Sequence, residues 1–137
     1  MWIIYALLAA IFAALTSIFA KIGIENVNAN LATAIRTIVV ILFAWGIVFA
    51  TGVHSEIKNI SMKSLVFLGI SGLCTGFSWI LFYKALKVQD ASKVIPIDKL
   101  SVVISIILAF VVLKEKVTVQ GIIGIVLITA GTLALVL

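Results

Sequence analysis

Five apolar runs, each long enough to cross a bilayer and separated by short polar loops, fill nearly the whole chain. They cover about residues 2–22, 31–51, 62–83, 94–113 and 117–137. At about 1.5 Å rise per residue, a run of twenty is about 30 Å long, one hydrocarbon thickness. Inside that layer no water is available to the backbone, so each run must satisfy its own N–H and C=O groups as a helix. The runs predict an all-α integral membrane protein with five transmembrane helices in a single domain. Composition agrees, since 64% of the 137 residues are hydrophobic and 11% charged, against about half and about a quarter in a soluble domain. The net charge is +5. The basic residues are scattered between the runs with no basic arm, which points to membrane lipids rather than nucleic acid as the counter-charge. The single cysteine, Cys74, excludes a disulfide or a cysteine-based metal site within one chain. The first run lacks a basic leader and four more follow it, so it reads as a span and not a cleaved signal.

Small residues mark where helices are expected to approach. Ala6, Ala10, Ala13 and Ser17 lie on neighbouring turns of the first run, and Gly72 and Gly76 form a small-xxx-small pair in the third. Gly121, Gly124 and Gly131 mark a packing face on the fifth. Gly23 and Gly52 are expected to end the first two helices, and Asn30 to cap the second. The polar connector 84–93 carries Lys87, Asp90 and Lys93 at spacings of three, close enough to pair on a helical turn. Thr75, Trp79 and Tyr83 recur every four residues and form one face of the third helix. That face fits either packing with an interfacial aromatic belt or the lining of a solute path.

Charges inside or at the edge of the spans are the candidate functional groups. Five spans put the termini on opposite sides of the membrane. The loops on the N-terminal side carry Lys58, Lys63, Lys114 and Lys116, and those on the other side carry Lys21, Lys84, Lys87 and Lys93. Arg36 and Lys99 add two more near the second side. So weak a bias gives little direction by the positive-inside rule. A chain of this kind can insert both ways, and an antiparallel homodimer would reproduce the inverted repeat that many transporters carry in one chain.

Asp98 and Lys99 follow the only proline, Pro96, near the start of the fourth run. Ionisable groups there raise a functional hypothesis. Asp98 has only Val94 and Val102 four residues away, so its partner is expected from another helix, with Arg36 and Lys21 as candidates. The competing reading is structural: an acid in a helix's first turn after proline, and basic side chains that snorkel to headgroups. His54 in a loop and Cys74 in a run supply no nucleophile–base pair and no metal-ligand cluster, which argues against an intramembrane enzyme.

Several motifs together resemble the EamA branch of the drug/metabolite transporter superfamily. An apolar run ends in Leu113-Lys114-Glu115 and is followed by Thr118, Gln120-Gly121, Gly124 and Thr129-Ala130-Gly131, similar to that family's glutamate closing the fourth helix and its glycine-marked fifth. Ala34-Ile35-Arg36 looks like the family's arginine near the start of the second helix. Tyr83-Lys84-Ala85-Leu86, Ala91-Ser92 and Pro96 look like its link from the third helix to the fourth. The resemblance covers the whole chain and makes Glu115 and Pro96 family markers. Typical members have ten helices in two inverted halves, and this chain resembles one half. The resemblance implies a secondary transporter of small metabolites or drug-like solutes, working as a homodimer by alternating access in a prokaryotic cytoplasmic membrane. A flippase for lipids or lipid-linked sugars and a non-transporting scaffold subunit are the alternatives. Asp98, Lys99, Arg36 and Lys21 would bind or gate, and Thr75, Trp79 and Tyr83 would line the path. No nucleotide, metal or other cofactor motif is present. The first run also lacks the central acid on which small four-helix multidrug relatives depend.

Overall fold

The computed structural model describes all residues, 1–137. It is all-helical: α1 (Trp2–Gly23), α2 (Ala29–Thr51), α3 (Met62–Val88), α4 (Ala91–Asp98), α5 (Leu100–Leu113) and α6 (Val119–Val136), with a 3-10 segment (Val53–Asn59) between α2 and α3. Helices α4 and α5 together make one apolar stretch, Ala91–Leu113, so the chain has five candidate membrane spans.

The helix ends follow local chemistry, with several departures from expectation. Asn28, not Asn30, caps α2: its side chain accepts from the Asn30 N–H at 2.9 Å. The cap thus lies two residues earlier, and Asn30 is the residue that donates to it. Gly52 ends α2 in the left-handed conformation, φ 76°, with its N–H on the Phe49 carbonyl, a geometry that glycine adopts without strain. Gly23 does not do the same. The Ile24 N–H continues the helical pattern onto the Ala20 carbonyl at 3.0 Å, and only Gly52 and Lys114 have positive φ. The expected loop after α2 is instead coiled, and the His54 ring lies 5.5 Å from Phe49.

Helix α3 runs five residues beyond the expected Tyr83, so most of the 84–93 connector is helical. The expected pairing within that connector does not form. Lys87 Nζ donates instead to the Val27 carbonyl at 2.7 Å. That carbonyl lies in the turn between α1 and α2, where no helical ladder supplies a donor.

The fourth span is broken. Pro96 sits inside α4, where it lacks an N–H and crowds the carbonyl four residues earlier. The helix ends at Asp98, and Lys99 joins it to α5. Asp98 is therefore a helix-end residue, not a first-turn acid following the proline. On α6, the Thr132 hydroxyl donates to the Pro96 carbonyl at the break, at 3.4 Å. Helix α5 closes through Lys114 at φ 56°, and the Glu115 N–H folds back to the Ala109 carbonyl at 3.2 Å. Thr118 then starts α6, its Oγ1 accepting from the Gly121 N–H at 3.1 Å.

Packing groups the chain into two compact units: Phe19–Lys87, and Met1–Ile18 with Val88–Leu137. In the first, the buried residues are Ile24, Ala29, Thr33, Phe82, Tyr83 and Leu86. They gather at the start of α2 and the end of α3, and the rest of those two helices is largely exposed. In the second unit, α6 packs on α4 and α5, and Ser17, Val94 and Thr132 are buried. Within the chain, a Cβ at Gly72, Gly76, Gly124 or Gly131 would meet no atom within 4 Å. At Gly121 it would touch only Thr118 and Val117, from the helix's own start.

Candidate functional site

The buried end of the Phe19–Lys87 unit carries an aromatic and cationic cluster. Arg36 lies two turns into α2, and Trp79 and Tyr83 share a face of α3 four residues apart. The Arg36 guanidinium carbon stands 3.4 Å from the Trp79 ring centroid, a close cation–π stack. Trp79 meets Tyr83 at 5.4 Å and Phe82 at 5.5 Å between centroids, both edge to face. That is the arrangement the ring quadrupoles favour. Tyr83 is 3% exposed and Phe82 9%, so the indole has a fixed backing on one side and the guanidinium on its face.

The small polar residues of α2 serve their own helix. Thr33 Oγ1 donates to the Ala29 carbonyl at 2.9 Å and Thr37 Oγ1 to the Thr33 carbonyl at 2.7 Å. Both hydroxyls are satisfied without drawing on Arg36.

Lys21 reaches across to the end of α3. Its Nζ donates to the Leu86 carbonyl, in the last turn of α3, where carbonyls have no partner within the helix. Leu86 is 0% exposed. A cation at a helix C-terminus both donates and complements the dipole. With Lys87 on the Val27 carbonyl, two lysines tie the end of α1, the α1–α2 turn and the end of α3 together through backbone carbonyls.

Thr75 does not join the cluster. It is exposed, and its hydroxyl donates to the Ser71 carbonyl of its own helix at 2.9 Å. The four-residue stripe thus divides: Trp79 and Tyr83 are tied by ring contacts, and Thr75 is not. Asp98 and Lys99 form their own pair, with Lys99 Nζ 3.5 Å from Asp98 Oδ2 and both side chains partly exposed. Within its own unit Asp98 thus has the next residue as its partner.

Sequence reasoning missed Phe82 and the acceptor role of Leu86. Phe82 lies three residues after Trp79, a helical spacing that signals contact. Leu86 acts through its backbone, so its side chain carries no signal. Glu115 lines a shallow cleft with Phe110, Lys116, Thr118 and Gly121, where α5 turns into α6.

The EamA-like transporter family model matches residues 1–137. The chain belongs to that family. Its five apolar helices make it a half-size EamA member, a multi-pass membrane transporter. An uncharacterised transporter encoded in the cobO 3' region of Sinorhizobium sp. is 43% identical over 134 residues, covering 98% of this chain and 95% of that protein. An uncharacterised protein of Methanocaldococcus jannaschii is 33% identical over 136 residues, covering 97% and 94%. Both relatives are thus of nearly this EamA chain's length. No solved structure matches it significantly.

Proposed function

We propose that the protein is a secondary transporter of small metabolites with an anionic or zwitterionic group, assembled from two copies in a prokaryotic cytoplasmic membrane. The observation that carries this reading is a family match over residues 1–137, in relatives that are themselves of about this length. A ten-helix pathway then has to come from two chains. The near-even spread of lysines across the two sides supports an antiparallel pair.

The mechanism follows from where charge lies. Only 6% of each span's most apolar stretch is buried within the chain, so its surface is covered by lipid and by the second copy. In one unit Arg36 on its aromatic backing, and in the other the Asp98–Lys99 pair at the helix break, each supply groups that hold or release a polar solute. A solute shifts an inward–outward equilibrium only through different contacts in the two states. The break at Pro96–Lys99 provides backbone that can change between them, and the exposed Asp98–Lys99 pair can open and reform as it does so.

The test is flux in vesicles containing the purified protein, with a panel of small carboxylates, amino acids and organic cations. Arg36→Ala and Asp98→Asn are each expected to reduce uptake of the transported solute at least ten-fold. Wild-type flux that survives both substitutions would remove these residues from the pathway. Absence of flux for every solute, with a stable complex with another membrane protein, would favour a scaffold role.

A further inference from the structure

Arg36 has unused binding capacity. Its guanidinium has five N–H donors and no acceptor of its own. Its contact in the structure is the face of Trp79, at 3.4 Å. No carboxylate, carbonyl or hydroxyl of the chain accepts from it, and the Thr33 and Thr37 hydroxyls donate to carbonyls of their own helix. Arg36 is seven residues past the start of α2, about 10 Å along the axis at about 1.5 Å per residue. A cation at that depth with no acceptor is costly.

The stacking settles which side of the guanidinium is free. One face of the group lies on the indole, so its N–H donors point sideways in the plane. An in-plane pair of donors fits the two oxygens of a carboxylate. Tyr83 contacts the same indole from the other helix turn, and its ring is almost wholly buried. No side-chain oxygen in the chain is both buried and without a partner, so the Tyr83 hydroxyl reaches accessible space. It is a second donor beside the cluster. The half-buried Trp79 indole presents apolar surface beside these donors, with Phe82 packed against it.

We propose that Arg36, stacked on Trp79 and flanked by Tyr83, is the binding site for the carboxylate of a small solute with an apolar body. This rests on the transporter reading and names its substrate class. The guanidinium takes the carboxylate edge-on, Tyr83 donates a further bond, and the α3 aromatics cover the apolar part. The aromatic stack holds the fork in place before the ligand arrives, so less side-chain freedom is lost on binding.

The experiment is equilibrium binding by the purified full chain in a zwitterionic detergent, read through Trp79. Trp2→Phe and Trp45→Phe leave Trp79 as the sole indole. Cyclohexanecarboxylate is titrated against its uncharged amide and against the matched amine. A saturable change in Trp79 emission is expected with the carboxylate, at least ten-fold weaker with the amide and absent with the amine. Arg36→Gln is expected to weaken carboxylate binding at least ten-fold, Arg36→Lys several-fold, and Tyr83→Phe several-fold. If Arg36→Gln fails to fold, the Arg36→Lys and Tyr83→Phe arms and the amide comparison still decide. Equal responses to acid and amide, or full affinity in Arg36→Lys and Tyr83→Phe together, would overturn the proposal. So would loss of the response in phospholipid nanodiscs, zwitterionic as well as anionic, because the guanidinium would then be holding a lipid phosphate. Carboxylate binding without flux in vesicles would sink the transporter reading and leave this site standing. Flux of other solutes without carboxylate binding would do the reverse.

Discussion

At the scale of single residues, charges in this protein are spent on backbone and rings more than on each other. Lys21 looks like a side chain that snorkels to headgroups, yet its ammonium sits on a carbonyl at the end of α3. Lys87 makes a similar bond to the α1–α2 turn. Hydrogen bonds with one charged partner contribute about 1.5–3 kcal/mol. Lys21→Met keeps the apolar stem and removes the donor, leaving the buried Leu86 carbonyl short of one partner. It is expected to destabilise the protein by about 2 kcal/mol, measured by thermal or denaturant unfolding in detergent. A loss under a few tenths of a kcal/mol would mean water replaces the lysine there. Arg36 differs from both lysines because an aromatic face, not a carbonyl, receives it. The helical spacing of Trp79 and Tyr83 was readable in the sequence. That Arg36 would lie on Trp79 was not, because the two are on different helices and only the approach of α2 to α3 joins them.

At the scale of elements, the fourth span is where sequence and structure diverge most. A run of apolar residues from 94 to 113 reads as one helix. The structure starts it at Ala91 and divides it at Lys99. The proline was visible, and its cost in a helix interior is about 3 kcal/mol. Whether such a residue caps, kinks or breaks a helix depends on what satisfies the backbone beside it. Here Thr132 supplies a donor to the Pro96 carbonyl. Thr132→Val preserves shape and removes that donor. Interhelical hydrogen bonds in membranes average about 0.6 kcal/mol, and the 3.4 Å length puts this one near or below that figure. The substitution is expected to lower unfolding stability by about 0.5 kcal/mol, with Thr132→Ser close to wild type. A loss well above 2 kcal/mol would show that the hydroxyl holds more than this one carbonyl. The ends of α2 show the opposite case. Gly52 was legible as a stop because left-handed backbone favours glycine, whereas Asn28 and Asn30 offer the same chemistry two residues apart. Composition alone does not choose between them.

At the scale of the whole molecule, little of the apolar surface is covered by the chain itself. Large side chains from Trp2 to Leu137 are exposed along every span, as a surface facing lipid or a second copy requires. The open glycine positions at 72, 76, 124 and 131 belong to that surface. The lysine distribution bears on the proposed pairing of two copies. Reporter fusions at the C-terminus, one active only inside the membrane and one only outside, are expected both to be active in the same cells. Activity of one alone would rule out the antiparallel pair and leave a parallel one. Adding two lysines to the 53–61 loop is expected to bias insertion toward one orientation and to reduce flux, because fewer antiparallel pairs can form.

The sequence by itself determined the class and the number of spans. Length, hydropathy and the need to satisfy the backbone in a bilayer leave no other solution for five such runs. It also determined the family, because the arginine, the glutamate and the glycine-marked last helix are local patterns. Only the tertiary structure decided which side chains meet. Arg36 on Trp79, Lys21 on the Leu86 carbonyl and Thr132 on the Pro96 carbonyl each join residues at least 36 positions apart. In an apolar span nearly every neighbour is hydrophobic, so periodicity shows a helix but not its facing partner. Packing between helices makes that choice.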